Sequence, residues 1–248
     1  MNGTLSTPSA VNVRTVSVRR PRWRSYVVLS RISNLPTVWT NVLAGMCLSS
    51  AGFTADTYAQ VAVATSLFYV GGMFLNDAFD APFDRRFRPD RPIPSEELSR
   101  AEVFIAGGTL LGAGELLLAP HAASLVLGAA LAAAIVLYDY RHKGSSVAPL
   151  VMGTCRGLVY CIAAASVAGL NSAAAIGAII VASYVVALTV VAKMAGPNAR
   201  WLVPGLIAGI SLVDAALIGA MSSSTALAVA ATGGFGLTLF LQRYVRGD

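Results

Sequence analysis

Apolar residues in this chain run in long blocks, with neither the alternation of a half-buried strand nor the stripe of a soluble amphipathic helix. Eight blocks recur, each of roughly 17 to 23 residues, near the length a helix needs to cross about 30 Å of hydrocarbon. They fall at about 36 to 53, 58 to 79, 101 to 118, 121 to 139, 147 to 168, 173 to 193, 201 to 219 and 225 to 242. The pattern predicts an all-α, polytopic membrane bundle of about eight transmembrane helices.

The basic residues between the blocks test that count. With a cytoplasmic amino terminus, the inside segments hold Arg14, Arg19, Arg20, Arg22, Arg24 and Arg31, then Arg85, Arg86, Arg88, Arg91 and Arg100, then Arg141 and Lys143, then Arg200, then Arg243 and Arg246. The four opposite loops, near Asp56, Pro120, Asn171 and Ser223, hold none. The positive-inside rule therefore predicts an even number of spans with both termini in the cytoplasm, and the expected setting is a bacterial-type inner membrane. Composition agrees: 56% hydrophobic and 12% charged residues in 248 is far too apolar for a soluble domain, which carries about 25% charged residues. The net charge of +6 is a topology signal, which argues against nucleic acid as a partner. Residues 1 to 24 read as a disordered basic tail suited to anionic headgroups and without the apolar core of a signal peptide. Residues 25 to 248 read as the membrane domain. Cys47, Cys155 and Cys161 lie in predicted spans without metal-ligand spacing and read as packing residues.

One polar stretch breaks the pattern. Asn76, Asp77, Asp80 and Asp84 end the second block, directly after Phe74-Leu75, and acids at membrane depth are costly and functional by default. At about 100° per residue the three acids share a sector of roughly 60°, widened to about 100° by Asn76. Pro82 interrupts them, so a kink or helix end is expected there, with Asp84 in the following loop. Arg85, Arg86, Arg88 and Arg91 follow at once. Oxygen ligands for a divalent cation beside bases for an anion are what a Mg²⁺-carried diphosphate requires. Arg156 is the one basic residue in mid-span and requires a diphosphate or a buried acid as partner. Asp214 is either a cavity contact or a structural pair. Gly108 with Gly112, and Gly205 with Gly209, have the spacing of close helix packing.

The stretch Asn76 to Asp84 resembles the NDxxDxxxD signature of the UbiA superfamily of intramembrane prenyltransferases. Asp90-Arg91-Pro92-Ile93-Pro94-Ser95 is similar to the segment that follows it there, Arg31 to Asn41 to the family's first helix, and Tyr138-Asp139-Tyr140-Arg141-His142-Lys143 to its tyrosine and lysine element. The resemblance implies a helical bundle around a central cavity open to lipid. It implies Mg²⁺ on Asn76, Asp77, Asp80 and Asp84, with Asp77, Asp80, Tyr138 and Lys143 as the catalytic set. An allylic isoprenyl diphosphate is then the donor, bridged through Mg²⁺ to Asn76 and the acids and contacted by Tyr138, Arg141 and Lys143, and a small acceptor in the bilayer receives the prenyl group. The residues themselves add Arg85 and Arg91, beside the acids, and the mid-span Arg156 as diphosphate contacts. SNLPTVWTN and MGTCRG are most similar to the EboC-like group. Two departures stand out. The family's second aspartate motif is replaced by Val191 to Arg200, without a carboxylate, leaving Lys193, Asn198 and Arg200 either as diphosphate contacts or, for the two bases, as interfacial anchors. Eight spans appear where the family commonly has nine. A membrane terpene cyclase is the second reading and a non-catalytic lipid-binding or transport protein the third.

Overall fold

The computed structural model describes residues 21–49, 52–141, 145–194, 201–222, 224–245 and 247. The helices are α1 (Arg22–Ser30), α2 (Leu35–Leu48), α3 (Ala55–Phe87), α4 (Arg100–Leu118), α5 (Ala122–Arg141), α6 (Ala148–Ala165), α7 (Ser172–Met194), α8 (Leu202–Ala208), α9 (Ile210–Met221) and α10 (Thr225–Gln242), with one 3₁₀ turn at Ile32–Asn34. The described residues contain no strand. The tail expected over residues 1 to 24 overlaps α1, since Arg22, Trp23 and Arg24 are already helical.

Seven helices, counting α8 and α9 as one, are long and apolar enough to cross a membrane. Their outward faces carry large apolar side chains, with Ile105 70% and Leu116 75% exposed, a surface that only lipid solvates cheaply. The chain is an integral multi-pass membrane protein. The first expected span, 36 to 53, is realised as α2, 14 residues and about 21 Å long. It lies inside the bundle against α3, α6, α9 and α10, with Gly45 so close to α6 that a Cβ there would stand 2.7 Å from the Tyr160 carbonyl oxygen. A helix walled by protein is not held to the thickness of the bilayer.

α3 does not end at Pro82: the helix continues through it and runs for 33 residues, from Ala55 to Phe87. Proline lacks the N–H that would bond the carbonyl four residues back, here that of Ala78. Arg100 Nε, at the start of α4, donates to that oxygen at 2.8 Å. Asp84 is therefore helical and not in the loop. The connection between α3 and α4 folds back so that Ile93 and Leu98 pack on Ala78 and Ala81. Of the glycines singled out by spacing, Gly108, Gly112 and Gly205 face open space. The close approach of α3 and α4 is made instead by Gly71 and Gly107, where a Cβ on Gly71 would meet the Gly107 carbonyl oxygen at 2.9 Å.

Candidate active site

At the last turns of α3, Asn76, Asp77, Asp80 and Asp84 are all buried, with Asp84 only 1% exposed. Clustered carboxylates out of water require compensation, and it comes from elsewhere in the chain. Arg91 Nη1 donates to Asp77 Oδ1 at 2.8 Å and to Asp84 Oδ2 at 3.0 Å. Arg31 reaches Asp77 Oδ1 at 3.3 Å and also touches the Met73 sulfur. Arg31 sits between α1 and the 3₁₀ turn with a left-handed backbone, φ 46°, a conformation unusual for a non-glycine residue. Asn76 Nδ2 donates to Asp139 Oδ1 at 3.0 Å, joining the end of α5 to the acid group. The carbonyl oxygen of Gly247 accepts from Asn34 Nδ2 at 2.9 Å, so the chain's last described residue lies beside the start of α2.

An apolar cavity of about 100 Å³ lies between α2, α3, α5 and α6, and Asp139, one of its lining residues, joins it to the acid group through Asn76. Val38, Phe68, Leu131, Ile135, Met152 and Val159 wall it, and Tyr69, Tyr138, Asp139 and Arg156 supply its polar groups. Tyr138 and Arg141 also line a second hollow of about 240 Å³ at the junction of α5 and α6. Arg156 is tied to α2, with Nη1 2.9 Å from Asn41 Oδ1 and Nη2 3.0 Å from Thr37 Oγ1, while its guanidinium lies 5.9 Å from the Tyr69 ring centre. Asp214 is fully buried behind Asn41, accepting from Asn41 Nδ2 at 2.8 and 2.9 Å, from Thr40 at 2.6 Å and from Tyr160. It is the structurally paired acid of the two alternatives.

The expected residues thus divide. Asn76, Asp77, Asp80, Asp84 and Arg91 come together, and Tyr138 and Arg156 line the adjoining cavity. Arg85 is exposed at the end of α3. Lys193 Nζ donates to the Ser145 carbonyl oxygen at 3.1 Å, joining the end of α7 to the segment just before α6. Lys143, Asn198 and Arg200 lie outside the described residues. Sequence reasoning missed Arg31 and Arg100 as parts of the site, along with Thr37, Asn41 and Tyr69. Only Arg100, 22 residues after a carbonyl that Pro82 must orphan, left a trace that local rules can explain after the fact.

Among the described residues no three His, Cys, Asp or Glu side chains stand as a ready metal site; the Arg91 guanidinium bridges two of the acids. The donor set nonetheless fits a hard divalent cation, since all its groups are oxygen ligands. Asp84 Oδ1 is also buried with no hydrogen-bond partner among the described residues, and such an oxygen gains from a cation.

A model of the UbiA prenyltransferase family matches residues 38–196. The digeranylgeranylglyceryl phosphate synthase of Methanopyrus kandleri is 33% identical over 132 residues, 52% of this chain and 48% of that protein. That of Ignicoccus hospitalis is 34% identical over 94 residues, 38% of this chain and 30% of that protein. The matched region thus spans about half or less of these curated relatives. In fold, the chain is similar to a solved UbiA homologue of Archaeoglobus fulgidus bound to GPP and Mg²⁺, with TM-score 0.58 and 14% identity over 89% of this chain and 86% of that one. It is also similar to a solved digeranylgeranylglyceryl phosphate synthase, with TM-score 0.59 and 18% identity over 88% of this chain and 96% of that one.

Proposed function

Because the chain belongs to the UbiA prenyltransferase family, we propose that it ionises an allylic isoprenyl diphosphate at the Asp77, Asp80 and Asp84 group and transfers the prenyl chain to a small acceptor in the membrane. The observation that carries this reading is the junction of buried acids and bases with an apolar cavity: one end suits a diphosphate and its cation, the other an isoprenoid tail. Asn76, Asp77, Asp80 and Asp84 would hold Mg²⁺, which when bound neutralises the charge that builds on the departing diphosphate.

The remaining roles fall to the chain itself. Arg91 and Arg31 are paired with the acids, and both present donors that a diphosphate oxygen can accept in place of Asp77. Tyr138, which lines the cavity next to Asp139, would offer a hydroxyl to the same leaving group; Lys143 is assigned the same task by family likeness. Arg85, Arg141, Asn198 and Arg200 are proposed as outer contacts for the anion at the cytoplasmic side, where we place both termini, whereas Lys193 is read as an anchor that ties the end of α7 to the segment before α6. The apolar walls exclude water, which strengthens every fixed charge acting on the leaving group and keeps the prenyl cation from being quenched by hydrolysis. The curated relatives are named for digeranylgeranylglyceryl phosphate, so a glycerophosphate-type acceptor is the first class to test.

Product analysis decides the reading. Full-length protein in nanodiscs, given Mg²⁺ and labelled prenyl diphosphate with a membrane extract, should yield a prenyl conjugate. A cyclic hydrocarbon would make the protein a terpene cyclase, and intact substrate would refute both.

A further inference from the structure

Arg156 and Asp214 sit on different helices, do not touch, and are joined by a single amide. Both oxygens of Asp214 accept from Asn41 Nδ2, which fixes the orientation of that amide: its nitrogen is committed to the acid, so its oxygen must face the other way. There it accepts from Arg156 Nη1 at 2.9 Å. Thr37 holds the second arm of the guanidinium and passes its own hydroxyl hydrogen to the Asn34 carbonyl at 2.7 Å. Asn41, Thr37 and Asp214 are fully buried, and Arg156 lines the cavity.

A guanidinium has five N–H donors, and among the described residues the protein takes two of Arg156's. Those remaining are held in a fixed fork beside the cavity. The amide between the charges prevents a direct ion pair, so Asp214 fixes Arg156 without covering its binding face. The site is also displaced from the metal acids: Tyr69, beneath the guanidinium, precedes Asp77 by eight helical residues, about 12 Å along α3.

Resting on the prenyltransferase reading, we propose that Arg156 is a phosphate-oxygen site within the cavity and that Asp214, acting through Asn41, is its positioning residue. The phosphate comes from one of two sources, the donor's diphosphate or the headgroup of a phosphate-bearing acceptor. A fixed cation in an apolar cavity gains most from an anion that arrives with its own hydrophobic tail.

Equilibrium binding to full-length protein in nanodiscs tests this with two labelled probes. One is inorganic pyrophosphate with Mn²⁺; the other is lysophosphatidic acid, compared with its phosphate-free monoacylglycerol. Arg156→Gln should weaken at least one probe by about tenfold or more, and which one identifies the source. Asp214→Asn, nearly isosteric, should weaken that same probe by about fivefold, and the double variant should be no weaker than Arg156→Gln alone, since both act on one site. Should Asp214→Asn fail to accumulate folded, Asn41→Ser removes the relay while Thr40 and Tyr160 still satisfy Asp214. Unchanged affinity for both probes in Arg156→Gln would overturn the site. Additive losses, or a fall in thermal stability with wild-type affinity in the folded fraction, would make Asp214 a simple cross-link between helices. Failure of the prenyltransferase reading looks different: pyrophosphate would bind equally well without Mn²⁺ and in Asp80→Asn.

Discussion

Arg100 Nε stands 2.8 Å from the carbonyl oxygen of Ala78, the one acceptor in α3 that Pro82 deprives of its helical partner. A side chain from the next helix thus completes the α3 ladder and keeps Asp84 in line with Asp77 and Asp80. An unsatisfied buried carbonyl costs about 1–3 kcal/mol, so Arg100→Ala should lower thermal stability and weaken Mn²⁺ binding. Pro82→Ala restores the missing N–H, and in the double variant both properties should return toward wild type. Thermal melts and Mn²⁺ titrations of the four proteins check this; no rescue would mean that Arg100 acts in some other way.

Much of this was readable in the chain. Long apolar blocks gave the helices because crossing hydrocarbon demands them, and Asn76, Asp77, Asp80 and Asp84 announced the site because acids are rare at that depth. What local rules missed depends on contacts distant in sequence. Pro82 was expected to kink or end α3, but the helix continues to Phe87, and a base at the start of the next helix, Arg100, bonds the carbonyl that the proline leaves without its helical partner. Arg31 and Asn41 look like ordinary members of the first helical segment until folding brings them to Asp77 and Arg156. The GxxxG spacings were borne out only at Gly209, which lies close to the Tyr184 hydroxyl, because spacing alone does not say which face of a helix meets a neighbour; Gly107, beside Gly108, is the residue that packs against α3.

Arg91 bridges Asp77 and Asp84. Arg91→Gln leaves two buried carboxylates facing each other, so its melting temperature should fall below wild type in EDTA, and added Mg²⁺ should raise it by more than it raises wild type. Differential scanning fluorimetry across a Mg²⁺ series measures both shifts. Equal Mg²⁺ responses would show that Arg91 and the metal do not compete for the same oxygens.

Lys193 donates to Ser145, and the bases paired with Asp77 and Asp84 are Arg31 and Arg91. Lys193→Ala is expected to keep turnover within about threefold of wild type, less than about 1 kcal/mol in the barrier. A tenfold loss in steady-state rate would move Lys193 from helix anchor to diphosphate contact.

Absence of Lys and Arg from the four predicted outer loops favours both chain ends in the cytoplasm. Membrane-impermeant thiol reagents should leave single cysteines added at either end unlabelled in intact cells and label them after lysis. Labelling of the carboxy-terminal cysteine in intact cells would show an odd number of spans.

If the buried acids of α3 support ionisation of a prenyl diphosphate, diphosphate release by purified protein is their most direct readout. With Mg²⁺, labelled geranylgeranyl diphosphate and the membrane extract that supplies the acceptor, wild type should release diphosphate, and EDTA should abolish release. Asp80→Asn should be slower by at least about tenfold, or about 1.4 kcal/mol in the barrier, with partial recovery at high Mg²⁺. Undiminished release in EDTA, or wild-type release by Asp80→Asn at limiting Mg²⁺, would contradict the account.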